Sequence, residues 1–265
     1  MTHAAGPLTA LALRLPRPAR SFVAETGAYM LLLRDTVCAL AVRPRRWREV
    51  VRQMHASGVQ SLPITLLTAV FTGMVLALQT AYQLKKFGAE MYVGGIVGLS
   101  MARELGPVMT GLMVAGRVGA GIAASLGTMA VTEQIDALRT MGTDPVKYLV
   151  LPRTLALAVM LPVLTVFTMV VGCLGGYAIS VHLLGINADL YYTATTKIVE
   201  STDILNGLLK SAVFGAIIAL SGCYAGLNCR GGAEGVGKAT TFAVVLACIL
   251  ILVANYFLTA VLYIM

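Results

Sequence analysis

The stretch PITLLTAVFTGMVLALQTAYQL, residues 63–84, contains 22 residues and no charged side chain. A helix rises about 1.5 Å per residue, so this run is long enough to cross a bilayer core of about 30 Å. Across all 265 residues, 58% are hydrophobic and only 12% are charged. A soluble domain has about 25% charged residues. The composition therefore excludes a soluble globular protein and favours an all-α integral membrane protein.

Four more apolar runs follow the first one. We predict five transmembrane helices in a membrane domain of residues 61–265, at about residues 63–84, 91–129, 149–183, 208–227 and 239–264. The second run is too long for one straight helix, and it contains Gly106 and Pro107. We therefore expect a broken or re-entrant entry over residues 91–102 that leads into one long helix, 105–129. Between the later spans we expect a polar loop over residues 184–210, in which part of the chain can be helical, and a glycine-rich turn over residues 228–238.

The N-terminal part of the chain is basic, with nine of the 20 Lys and Arg residues before residue 60. We expect a flexible tail over residues 1–20 and amphipathic helices along the membrane surface over residues 21–60. Trp47, Arg48 and Arg52 form the expected interfacial anchor; the alternative is a solvated helix end without membrane contact. The positive-inside rule places this N-terminus in the cytoplasm, and five spans then place the C-terminus on the periplasmic side.

Three ionisable residues, Arg103, Glu104 and Arg117, lie well inside an apolar run. Such residues are costly in hydrocarbon, which makes them functional candidates. Neighbouring helix positions are about 100° apart, so Arg103 and Glu104 should not pair with each other, whereas Arg103 and Arg117 should point roughly the same way. The alternative is that each charge is satisfied at helix-end carbonyls or near an aqueous end.

Small residues recur in the spans at intervals of four. Such stripes allow close helix packing, and they include Gly111, Ala115, Gly119, Ala123 and Gly127, then Gly172, Gly176 and Ser180, then Gly222 and Gly226. Packing explains them better than a ligand path does.

No motif of an enzyme or of a metal or nucleic-acid site is present. The segment GAEGVGKA, residues 232–239, approaches the phosphate-loop pattern, but Ala239 replaces the required Ser or Thr and the segment joins two apolar helices. The three histidines are isolated and there is no C-x-x-C pair, so we expect no metal and no cofactor bound by this chain. The basic residues are expected to contact an anionic leaflet instead of nucleic acid.

Several long motifs occur in a fixed order between about residues 45 and 260. They are TGMVLALQ (72–79), ARELGPV (102–108), AGRVGA (115–120), LGTM (126–129), TEQIDAL (132–138) and GVGKATT (235–241). Together they resemble the MlaE/YrbE family, the permease subunits of lipid-transporting ABC systems associated with Mce proteins. The resemblance implies an MlaE-like permease fold and a homodimer in a bacterial inner membrane. It also implies transport of phospholipid between the inner membrane and the outer envelope, a function connected with outer-membrane lipid asymmetry.

The resemblance also implies partners. These are a cytoplasmic ABC ATPase dimer, which would bind ATP and Mg, an MlaD-like Mce-domain protein on the periplasmic side, and a small STAS-domain accessory protein. The residues alone leave another transport class open, an ion-gradient-driven secondary carrier of a lipid or other hydrophobic substrate. Few proton-relay acids and no obvious inverted repeat in the spans argue against that alternative.

The polar segment 130–148 gains a role from the resemblance. Val131, Ile135 and Leu138 lie at helical spacing, and Gly142 is placed to end a short amphipathic helix. Similarity to the family makes this the coupling helix to the ATPase, with Glu133, Gln134, Ile135, Asp136, Leu138 and Arg139 as its contact residues. The alternative is a surface turn between two spans.

A lipid pocket is expected near the outer end of the first span, at Leu78, Gln79 and Tyr82; the alternative is interfacial anchoring. The chain also departs from the family pattern. Ser125 replaces a common glutamate and Ala130 replaces a common arginine, so a charge pair of the family is missing here.

Overall fold

The computed structural model describes residues 17–40 and 47–264, and within these ranges it contains helices and no strand. The chain divides into two units, residues 1–43 and 44–265. Helix α1 (Arg17–Leu40) is the described part of the first unit. It begins inside the stretch expected to be a tail, since Pro18 is compatible with a first helical turn. The rest of that expected tail, residues 1–16, lies outside the described residues.

The second unit contains ten α-helices in its described part. They are α2 (Trp47–Ser57), α3 (Leu62–Lys85), α4 (Val93–Ser100), α5 (Gly106–Val114), α6 (Ala120–Val131), α7 (Gln134–Thr140), α8 (Leu151–His182), α9 (Ala188–Ile198), α10 (Ser201–Leu227) and α11 (Gly232–Ile264). Three π-helical turns, Met101–Leu105, Ala115–Gly119 and Val146–Val150, and two 3₁₀ turns, Val59–Ser61 and Glu90–Tyr92, connect some of them.

Five helical segments of the described chain are long and apolar enough to cross a membrane. They are Trp47–Lys85, Glu90–Val131, Val146–His182, Ser201–Leu227 and Gly232–Leu262. This number confirms the predicted five spans and the all-α class. The first segment also includes α2, which continues through a 3₁₀ turn into α3 and packs on α8.

The expected break in the second span does not occur, because the chain stays helical from Glu90 to Val131. At the expected break lies the π-helical turn Met101–Leu105, in which the Gly106 N–H donates to the carbonyl oxygen of Met101. A proline inside an α-helix clashes with the carbonyl four residues earlier, and a π-turn relieves this by widening the helix. Pro107 therefore lies at the start of α5 without interrupting the span.

The fourth and fifth spans begin earlier than predicted. A capping box between Glu200 and Asp203 starts α10 at Ser201, inside the expected polar loop. Gly231 and Gly232 both have positive φ, which completes the turn, and α11 begins at Gly232. The segment 232–239 is therefore helical, with Lys238 2.7 Å from Glu234, and it does not form a phosphate loop.

At several glycines the backbones of two helices are in direct contact. A methyl group added at Gly73 of α3 would lie 1.9 Å from the carbonyl oxygen of Gly172 on α8. One added at Gly215 of α10 would lie 2.3 Å from the carbonyl oxygen of Leu157, also on α8. The stripe from Gly111 to Gly127 is buried at every fourth residue. These contacts confirm the predicted packing through small residues.

Candidate functional site

The two adjacent charges of the second span reach α10. Arg103 Nε lies 2.6 Å from Asp203 Oδ1, and the Asp203 side chain is only 3% exposed while that of Arg103 is 41% exposed. Glu104 Oε1 lies 2.6 Å from Lys210 Nζ, one position further along the same π-helical turn. As expected, neither residue pairs with its neighbour; each has a partner of opposite charge on a different helix.

Lys210 is fully buried, and the contacts of its ammonium match the number of its donors. It donates to Glu104 Oε1 at 2.6 Å, to Thr259 Oγ1 at 2.8 Å and to the carbonyl oxygen of Arg103 at 3.1 Å. That carbonyl would accept from residue 107 in an α-helix, but Pro107 has no N–H. A lysine has three N–H donors, so the contacts satisfy the charge inside the bundle.

The far side of Glu104 faces α11. Asn255 Nδ2 donates to Glu104 Oε2 at 2.8 Å, and Thr259 Oγ1 lies 2.9 Å from Glu104 Oε1. We call the six residues that join the second span, α10 and α11 the charge network: Arg103, Glu104, Asp203, Lys210, Asn255 and Thr259. Its two cations and two carboxylates balance, which is the condition for placing charges in a membrane domain.

The sequence reasoning missed four of these six residues. Asp203 was placed in the polar loop and Lys210 at the boundary between that loop and the fourth span, although the two are seven positions apart and therefore lie on one helix face. The capping box at Glu200 was the signal that a helix begins before them. Asn255 and Thr259 lie at helical spacing of four in a span that contains no charge, so they carried no signal alone.

Arg117 lies on the second π-helical turn and contacts a different part of the bundle. Its Nη1 donates to Ser61 Oγ at 2.8 Å and its Nη2 to Gln60 Oε1 at 3.1 Å, both in the 3₁₀ turn before α3. Arg103 contacts α10 instead. The expectation that the two arginines point the same way is therefore wrong. A π-turn holds one residue more than an α-helical turn, so the side chains after it point about 100° away from the directions expected for a regular α-helix. All three intramembrane charges lie on such turns, which are frequent at functional sites.

Leu78, Gln79 and Tyr82, the predicted pocket residues, line a cavity of about 990 Å³ at the C-terminal end of α3. Its apolar side includes Ile186, and its polar side includes Glu90. The cavity thus offers both an apolar wall and groups that can hydrogen-bond or pair with charge.

The anchor residues of α2 are exposed. Trp47 is 64% exposed, while Val50 on the same helix is buried against the rest of the unit. Arg48 is exposed, and Arg52 lies 3.9 Å from Glu49. The helix is thus amphipathic, with its aromatic and basic residues available at the surface.

The short helix α7 is also amphipathic. Ile135 is buried and Leu138 half-buried, whereas the polar residues Glu133, Gln134, Asp136 and Arg139 are exposed. Val131 was predicted to lie on this helix with Ile135 and Leu138. It is instead the last residue of α6. The cause is Glu133, whose φ of 59° is in the left-handed region and reverses the chain between α6 and α7.

Gly142 ends α7 as predicted, with a φ of 71°. The Thr143 N–H donates to the Leu138 carbonyl and the Gly142 N–H to the Arg139 carbonyl, the two bonds of a Schellman motif. On α6, Ser125 is exposed and Ala130 half-buried, so the positions that depart from the family lie near the start of this turn.

Comparisons with known proteins agree on one family. The family model described as permease MlaE matches residues 50–261. A probable ABC transporter permease protein of Rickettsia felis is 44% identical over 90% of this chain and 92% of its own. The intermembrane phospholipid transport system permease protein MlaE of Haemophilus influenzae is 39% identical over 81% of this chain and 82% of its own.

A plant relative is also similar. The chloroplastic protein TRIGALACTOSYLDIACYLGLYCEROL 1 of Arabidopsis thaliana is 38% identical over 81% of this chain and 61% of its own. The Rickettsia and Haemophilus relatives carry the names of permeases, and neither name is that of an ion-gradient-driven carrier.

Proposed function

The chain belongs to the MlaE permease family of ABC transporters, and from this premise we propose that its substrate is phospholipid. The Haemophilus relative is named for phospholipid transport, which supports that substrate class. The chain would move phospholipid between the inner membrane and the outer envelope of a bacterium. The ATP-driven function would be that of a complex, in which a separate ATPase binds ATP and Mg.

The observation that carries the proposal is the cavity at Leu78, Gln79 and Tyr82. Its volume of about 990 Å³ lies at the upper end of the range for small-molecule sites. A phospholipid has apolar chains and a polar headgroup. The leucine side chains of the cavity can pack against the acyl chains of the lipid. The amide, phenol and charged groups that also line it, including Lys85, can bind the headgroup.

The ATPase would dock on α7. The exposed polar face of this helix, with Asp136 and Arg139 3.0 Å apart, suits a groove on a partner, while Ile135 anchors the helix to the spans. The left-handed residue Glu133 makes the connection to α6 short, so movement of α7 would be transmitted to the second span. The working complex would contain two copies of this chain and an ATPase dimer.

The orientation follows from the basic N-terminus. Nine of 20 basic residues precede residue 60, so the N-terminus and α7 would face the cytoplasm and the C-terminus the periplasm. The cavity at Tyr82 would then lie on the periplasmic side. An MlaD-like Mce-domain protein would meet the permease there, and a small STAS-domain protein would bind on the ATPase side.

Transport can be measured in proteoliposomes that contain the permease and its co-purified ATPase. We expect ATP-dependent transfer of a fluorescent phospholipid, and we expect Leu78→Trp to reduce it at least about fivefold by filling the cavity. Leu67→Trp is the matched control, because Leu67 lies on the same helix, is 59% exposed and does not line the cavity.

Equal transfer by Leu78→Trp and the unchanged protein would contradict the placement of the lipid. ATP hydrolysis that continues without any lipid transfer in the unchanged protein would contradict the substrate class. The purification itself tests the partners, because an intact permease that retains no ATPase would contradict the docking role of α7.

A further inference from the structure

A second, smaller cavity lies between α2 and the start of the third span. Its volume is about 200 Å³, and its lining includes Arg52, Gln53, Tyr148 and Arg153. Five of its seven lining residues carry a charged or hydrogen-bonding side chain: Glu49, Arg52, Gln53, Tyr148 and Arg153. The cavity at Leu78 is lined by none of these residues. A small space with cationic and hydrogen-bonding walls is suited to one compact anion.

The charges around this cavity leave a positive excess. Glu49 is the one carboxylate in the lining, and its Oε1 accepts from Gln53 Nε2 at 2.8 Å. Arg52 Nη1 lies 3.9 Å from Glu49 Oε2, a loose ion pair, and the Arg52 side chain is 81% exposed. With Arg153 the cavity has two guanidinium groups against one carboxylate. One bound phosphodiester would neutralise it.

Arg153 is held in a fixed position. It lies in the first turn of α8, and its Nη1 donates to the Leu149 carbonyl oxygen at 2.9 Å. A guanidinium has five N–H donors in a planar fork, and this bond uses one of them. Arg153 is half-buried, so it can present the remaining donors to a ligand in the cavity at a cost in side-chain entropy lower than that of a mobile arginine.

The residues of α2 beside the cavity indicate which anion it binds. Trp47 and Val51 of α2 are 64% and 61% exposed, and a tryptophan beside arginines is typical of the headgroup region. Basic pockets between helices on the cytoplasmic side bind anionic lipid headgroups. We propose that this cavity binds the phosphate of an anionic phospholipid of the cytoplasmic leaflet. The leaflet assignment rests on the orientation proposed above, whereas the binding itself does not depend on transport.

The test is native mass spectrometry of the full chain, purified in mild detergent and incubated with phosphatidylglycerol or phosphatidylcholine at equal concentration. We expect preferential retention of phosphatidylglycerol and a loss of about five- to tenfold in Arg153→Gln. Arg153→Lys should lose less, because it keeps the charge. Arg230→Gln is the matched control, since Arg230 is also an arginine, is exposed and does not line the cavity.

Several outcomes would overturn the proposal. They are unchanged retention in Arg153→Gln, an equal loss in Arg230→Gln, and displacement of phosphatidylglycerol by millimolar inorganic phosphate, which would identify a site for free anions. Loss of the co-purified ATPase with unchanged lipid retention would assign the cavity to that partner instead. If Arg153→Gln does not fold, Arg52→Gln makes the same comparison, because its side chain is largely exposed. Lipid transfer is not measured, so this result is separate from that for the larger cavity.

Discussion

Replacing Lys210 by methionine removes the ammonium of the charge network but keeps an unbranched side chain that can fill the same space. The change leaves Glu104 without its 2.6 Å partner and the Arg103 carbonyl without a donor. Removing one member of a buried ion pair costs about 3–5 kcal/mol. Glu104 is 38% exposed and keeps its bond from Asn255, so we expect a cost below that range, about 2–3 kcal/mol.

The free energy of unfolding can be measured by SDS titration in mixed micelles, with helix content as the signal. Lys238→Met is the control, because Lys238 also contacts a glutamate, at 2.7 Å, but both side chains are more than three-quarters exposed. We expect about 0.5 kcal/mol or less for it. The double change Glu104→Gln with Lys210→Met should be more stable than Lys210→Met alone, since no unpaired charge remains. Equal effects of Lys210→Met and Lys238→Met, or a double variant less stable than either single one, would refute the reasoning.

Gly73→Ala would place a methyl group 1.9 Å from the Gly172 oxygen, so the same titration should show a loss of about 2 kcal/mol. Gly116→Ala meets nothing within 4 Å and should stabilise the protein by up to about 1 kcal/mol. Asp136→Lys should abolish stimulation of the ATPase at an unchanged membrane level, because Asp136 is exposed; normal transport would argue against docking. Burial, with a smaller effect of a neighbouring thiol, raises the pKa of Tyr191. The unfolded chain therefore loses this proton first, and stability should fall above about pH 10 in the unchanged protein but less in Tyr191→Phe, as thermal unfolding would show.

The spans could be predicted because hydrocarbon imposes a length and forbids unpaired backbone, so apolar runs alone located five helices. The residues at which these helices begin were harder to predict. Ser201 and Gly232 begin helices whose first turns are polar or glycine-rich, and composition favours a loop for both. The helix that replaces the expected break at Pro107 depends on a π-turn, which has no side-chain signature of its own.

The candidate site divides in the same way. Arg103 and Glu104 were visible because a charge in an apolar run is conspicuous. Their partners were not, since Asp203 and Lys210 are about a hundred residues away, and the start of α10 that puts both on one helix was not predicted. The pocket residues Leu78, Gln79 and Tyr82 were located on the span, but the cavity they line also needs Ile186 from a distant turn.

The π-helical turns at Met101–Leu105 and Ala115–Gly119 interrupt the regular α-helical geometry of the second span at two places. The part before the first turn contacts α9, while the part after the second contacts α10 and α11. Each π-helical turn holds one residue more than an ordinary helical turn. Deleting that residue would restore a regular helix and leave the rest of the span at nearly its present rotation, whereas deleting one residue from a regular α-helical part would rotate everything beyond it by about 100°. The two turns are therefore the places where the second span can lose a residue without reorienting α7.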